Sequence, residues 1–159
     1  MANNYLQFSV SIPLRSVEED AWCDSRLREL DAQAGDSDTE KLSPDIKNVP
    51  SSDYDCFVSF QYTVEKNNLW LYAEESGDPD ELARFIQAFL RKFRKDEAIW
   101  FSWSYTCSKM RENEFGGGAV IVTAKRSYFN SPGDFISKQS KKLGFMSADG
   151  SNVLKKAKR

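Results

Sequence analysis

The sequence predicts an α+β fold whose elements run β-α-β-β-α-β, followed by one more strand and a small helix. Three observations carry that prediction. Short segments alternate apolar and polar residues with period two, as half-buried strands do. One segment, Leu82 to Phe93, spaces its apolar residues at helical intervals behind a capping signal. The order of these segments suits an antiparallel sheet with two helices on one face.

Leu6, Phe8, Val10 and Ile12 alternate with Gln7, Ser9 and Ser11, which gives the first strand. Pro13 is expected to end it, because proline cannot donate to a ladder. Ser16 can cap the next helix while Glu19 reaches back from its third position, a capping box. Cys23, Leu27, Leu30 and Ala34 form the inward stripe of that helix. Residues 35–55 are polar, rich in Asp and Ser, and broken by Pro44 and Pro50. A connection of that length is either a mobile excursion or a strap over one sheet face.

Cys56, Val58, Phe60, Tyr62 and Val64 mark the second strand, and Lys66-Asn67-Asn68 turns the chain. The third strand puts Leu69, Leu71 and Ala73 on one side and Trp70 and Tyr72 on the other. Asp78 caps the second helix, Pro79 suits its first turn, and Glu81 is placed to complete another capping box. Leu82, Phe85, Ile86, Phe89, Leu90 and Phe93 share one face of it. Burying those six side chains contributes on the order of 10–15 kcal/mol of gross transfer free energy. Arg91, Lys92, Arg94 and Lys95 cluster in its last turns, where they complement the helix dipole; an anion site is the alternative.

The fourth strand spans Ile99 to Tyr105 and the fifth Ala119 to Ala124, with Gly116-Gly117-Gly118 closing the polar loop between them. A short helix is expected from about Asp134 to Leu143. The chain therefore reads as a single domain over residues 1–145 with a basic, disordered tail over 146–159. The first six elements correspond to a ferredoxin-like split βαβ, the fifth strand extending the sheet beside the fourth.

Composition narrows the chemistry. The chain has 159 residues, 40% of them hydrophobic, enough for one buried core. Three cysteines, Cys23, Cys56 and Cys107, are scattered in unlike contexts, which suits reduced thiols. The amino-terminus shows no basic-then-apolar leader pattern and no run is long enough to span a bilayer, so a cytoplasmic location is expected. Histidine is absent, which excludes Ser-His-Asp and Cys-His nucleophile systems and His-ligated zinc within this chain. No cofactor and no metal is expected. The net charge of −2 conceals a polarity. Residues 16–55 hold 12 acidic and 4 basic residues, and residues 125–159 hold 9 basic and 2 acidic. A solvated acidic segment and basic tail account for this; contact of the tail with an acidic partner or phosphate backbone is the alternative.

Pleat parity places candidate site residues. With Leu6, Phe8, Val58, Phe60, Leu71, Phe101 and Trp103 toward the helices, the other face holds Gln7, Ser9, Ser11, Ser59, Gln61, Thr63, Ser102, Ser104 and Thr106. Trp70, Tyr72 and Trp100 stand among them. A wet second face looks like this, and so does a binding face. Stacking of RNA bases lacks both a matching RNP1 segment and basic residues. In the loop, the three glycines either cradle an anion near Lys109 and Arg111 or allow close backbone approach at a strand start. Cys107 is either a reactive thiol or a small strand residue.

Thr106-Cys107-Ser108-Lys109, Arg111, Glu114-Phe115-Gly116-Gly117-Gly118-Ala119 and Val122-Thr123-Ala124 form a segment that resembles a family of short uncharacterised bacterial, plasmid and phage proteins. Phe89 to Arg94 and Leu71 to Gly77 are similar too, so the likeness covers about Leu69 to Ala124. It implies an accessory protein of a bacterium or mobile element, with no catalytic assignment. It favours Lys109, Arg111, Glu114 and the glycines as the place of a family function.

Three functions are open at this point. The first is a non-enzymatic module binding a protein partner through the 107–118 loop and the open sheet face, at Trp70, Tyr72, Trp100, Cys107, Lys109, Arg111, Glu114, Gly116, Gly117 and Gly118. The second is nucleic-acid binding by the basic tail with Arg91 to Lys95. The third is a small-ligand binder or enzyme using Cys107, Lys109, Arg111 and Glu114.

Overall fold

The computed structural model describes residues 3–33, 59–109, 115–147 and 154–156. The strands are β1 (Asn4–Pro13), β2 (Gln61–Glu65), β3 (Asn68–Ala73), β4 (Ala98–Cys107), β5 (Gly116–Thr123) and β6 (Ser127–Asn130). The helices are α1 (Val17–Gln33), α2 (Pro79–Phe93) and α3 (Pro132–Leu143). The fold is α+β: six strands in the order β2-β3-β1-β4-β5-β6, each neighbouring pair antiparallel. β3 lies between β1 and β2, so α1 crosses between parallel strands; α2 does the same across β1.

The alternation foreseen along β1 holds, with Phe8, Val10 and Ile12 buried and Gln7, Ser9 and Ser11 exposed. Asn67 takes φ 66° in the β2–β3 turn, a left-handed conformation that asparagine tolerates. The inner face of the sheet meets Cys23, Leu27 and Leu30 of α1 and Leu82, Phe85, Ile86, Phe89 and Leu90 of α2 in one core. Trp22 wedges between the helices against Phe85, Phe89 and Phe93. A row of ring contacts, Phe60–Phe8–Phe101–Trp103–Phe129, crosses the inner face with centroids 6.0–6.4 Å apart.

Several expectations need correction. Ser16 Oγ does accept the Glu19 N–H at 3.2 Å, but the Glu19 carboxylate reaches back one residue beyond the Ser16 N–H that a capping box uses. It accepts the Arg15 N–H at 2.7 Å and two hydrogen bonds from the Arg94 guanidinium at 2.9 and 2.7 Å. Glu19 and Arg94 are 5% and 7% exposed, so Arg94 leaves the basic cluster for the interior. Its Nη2 also donates to the Pro13 carbonyl at 2.6 Å. At α2, Asp78 accepts the Asp80 N–H at 2.8 Å. The Asp78 N–H goes to Ser59 Oγ and the Glu81 carboxylate accepts the Ser59 N–H, so Ser59 stands where Glu81 was expected.

The sheet gains a sixth strand because Thr123 Oγ1 accepts the N–H groups of Lys125 and Arg126, folding the chain back as β6. Ser131 and Asp134 form a capping box at α3, which starts at Pro132 rather than Asp134. Towards the end of the chain, β7 (Phe145–Ser147) lies antiparallel to β8 (Leu154–Lys156). Ala34, residues 35–55, Cys56 and Val58 lie outside the described residues.

The buried pair makes a prediction with a defined sign. Arg94 holds the Glu19 carboxyl below the ordinary carboxylate range by donating to it. Its stabilisation is full above the unfolded carboxyl value, about 4.3, and is lost as pH falls through the lower folded value. Urea unfolding of Arg94→Met at neutral pH is expected to show a loss of about 3–5 kcal/mol, since a lone charge remains buried. Wild-type stability is expected to decline on acidification below about pH 4, more steeply than that of Arg94→Met.

Candidate functional site

The outer face of the sheet, opposite α1 and α2, is built by the residues that parity turns away from the core. Trp70 and Tyr72 stand on β3 with their rings stacked, centroids 4.1 Å apart and planes 20° from parallel. Trp70 Nε1 donates to Ser9 Oγ at 2.9 Å, which fixes the indole over β1. On the other half, cross-strand register aligns Trp100, Ile121 and Tyr128. Trp100 is 71%, Ile121 53%, Tyr128 49% and Trp70 42% exposed, so these large side chains add surface rather than core.

β1 and β4 are paired from Asn4↔Cys107 to Phe8↔Trp103. Beside the last of these pairs an open depression of about 480 Å³ lies against the Trp70–Tyr72 stack. Gln7, Ser9, Trp70, Tyr72, Glu74, Ser102 and Ser104 contribute to its lining. Its polar groups are hydroxyls, amides, the Trp70 indole N–H and one acidic residue, Glu74. Arg126 lies over the Tyr128 ring at 4.4 Å, at the edge of the face.

The predicted site residues divide. Trp70, Tyr72 and Trp100 share the outer face as expected. Cys107 is half-buried at the end of β4 opposite Asn4, and Lys109 is exposed beyond it; neither lines the depression. Arg111 and Glu114 lie outside the described residues. Gly116, Gly117 and Gly118 belong to β5 and pair with Tyr105, Ser104 and Trp103 rather than forming a loop. Gly117 has φ 146° and a Cβ there would meet the Trp103 carbonyl oxygen. A Cβ on Gly118 would enter the Trp103 indole and come within 2.8 Å of the Asn130 carbonyl oxygen. Close approach of a neighbouring ring and backbone therefore accounts for these two glycines.

Ile121 and Tyr128 escaped the sequence reading. Ile121 lies between the buried Val120 and Val122, and that alternation was the available signal. Tyr128 could be placed only once the turn after Thr123 was known. The remaining reactive groups point elsewhere. Burial, then the carboxylates of Glu19 and Asp20, push the Cys23 thiol up to about 12. Tyr62 is pushed up to about 12, chiefly because its hydroxyl donates to Asp31 at 2.6 Å. Among the described residues, no three Cys, Asp or Glu side chains group as a metal ion requires. No described helix is long and apolar enough to cross a membrane. Arg91, from the basic cluster, donates to the Ala124 carbonyl at 2.9 Å.

No protein-family model, curated protein or solved structure matches this chain.

Gly117→Ala and Gly118→Ala are each expected to lower stability by about 1–3 kcal/mol, the scale of backbone strain and overpacking. Thermal unfolding followed by circular dichroism measures it. Cys23 is expected to resist thiol reagents until the protein unfolds, while Cys107 reacts in the native state; mass spectrometry after brief alkylation distinguishes them.

Proposed function

We propose that this chain is a small non-enzymatic interaction module that engages a protein partner through its outer sheet face and the adjoining 107–118 loop. One observation carries the proposal: four large side chains, Trp70, Trp100, Ile121 and Tyr128, stand exposed on a sheet face nearly free of charge. A wet face in a chain that is 29% charged has no need of them, whereas interface centres are enriched in aromatics and depleted in charge. The lack of histidine and a depression lined chiefly by hydroxyls and amides, with Glu74 its one charged residue and Cys107 and Lys109 away from it, fit binding better than catalysis.

The same proposal takes the first six elements as a ferredoxin-like split βαβ to which β5 and β6 are added. Its support is the order β2-β3-β1-β4 with β1 and β3 in the middle. The likeness to short accessory proteins of bacteria and mobile elements belongs to this reading and supplies its biological setting.

Trp70→Ala and Trp100→Ala are expected to shift the unfolding free energy by less than about 1 kcal/mol, as exposed substitutions do. Both are expected to abolish retention of a protein partner on the immobilised chain. Unfolded variants, or unchanged retention, would reject the proposal.

A further inference from the structure

We propose that the partner of the outer face is a second copy of this chain, packed sheet to sheet about a twofold axis. The proposal rests on the interaction reading above and names its partner. Charge is the first argument. Among the described strand positions that face outward, Glu65 at the end of β2 is the single charged residue. Beyond the strands, Glu74 adds one acidic residue to the lining of the depression, and Arg126 lies over the Tyr128 ring. A face bearing one sign of charge repels its own image, because a twofold axis brings like groups together. A neutral face does not. The same neutrality gives a phosphate backbone or a strongly charged peptide nothing to pair with.

Hydrogen bonding is the second argument. The outward polar groups are Ser, Thr, Gln and Asn, which both donate and accept. Such groups can satisfy identical groups across a twofold axis, whereas a row of carboxylates or ammonium groups cannot.

Shape is the third. The ridge of Trp100, Ile121 and Tyr128 occupies the β4–β6 half, and the depression lies toward β1 and β3. An axis along the strands near the β1–β4 boundary sets Trp100, Ile121 and Tyr128 against the other copy's Ser11, Trp70 and Thr63, which share their level in the ladder. The depression lies beside this row, and the contact is the reciprocal one of an isologous interface. Six strands about 4.8 Å apart and about six residues deep project to roughly 600 Å². Standing rings raise the accessible area toward the roughly 800 Å² per partner of a stable complex.

Light scattering of the full chain across a concentration series tests the proposal. A species of twice the 18.2 kDa chain mass is expected. Trp100→Glu on the ridge and Ser102→Trp in the depression are each expected to weaken association by on the order of 30-fold or more, the scale of an interface hot spot. Far-ultraviolet circular dichroism is expected to stay unchanged in both, and acrylamide quenching of tryptophan fluorescence to fall as wild type associates. A dimer that survives both substitutions would overturn the proposal by placing the interface elsewhere. A wild-type monomer at several hundred micromolar would overturn it too. If that monomer still retains a host protein in a Trp100-dependent way, the second copy is wrong and the interaction reading stands; if it retains nothing, both fall.

Discussion

The contact between Glu19 and Arg94 ties three parts of the fold together at one point. Arg94 ends α2, Glu19 lies in the first turn of α1, and the Pro13 carbonyl at the end of β1 accepts from the same guanidinium. A bidentate pair has little freedom in angle, so each helix enters the core in a fixed orientation. An apolar replacement of similar volume could match it in stability. What the pair adds is position, because neither charge can remain buried without the other.

Everything on the inner face follows from that placement. With both helices held on one side, Phe8, Leu71, Phe101 and Val120 have apolar neighbours, and Trp22 closes the gap between the helices. The ring row carries this packing out to Phe129 at the sheet edge. There the indole of Trp103 needs the space above Gly118, and the backbone of Trp103 needs the space beside Gly117. The three glycines thus serve a strand pairing.

The outer face is the complement of this arrangement. Its hydroxyl and amide side chains are short, so the sheet stays open and lets the standing rings define its relief. An uncharged, aromatic centre with charges at the margin has the composition of an interface before a partner is considered. Cys23, the most thoroughly buried thiol among the described cysteines, plays no part in it.

Local pattern was sufficient for much of the fold. The alternation along β1 and β3, the apolar stripe of α2 and the turn at Asn67 were legible, because period and turn chemistry are properties of neighbouring residues. They also placed Trp70, Tyr72 and Trp100 on the outer face. Ile121 and Tyr128 joined them only through strand register, which the sequence does not state. The capping boxes were half legible: Ser16 and Asp78 cap as expected, while Glu19 accepts from Arg15 and the distant Arg94, and Glu81 accepts from Ser59. Arg94 looked like one more cation completing a helix dipole, and its partner lies 75 residues away. The sequence by itself determined which residues could be greasy, extended or helical. Tertiary structure decided which distant groups met, since a pairing between Glu19 and Arg94 or between Trp103 and Gly118 exists only after the sheet has closed.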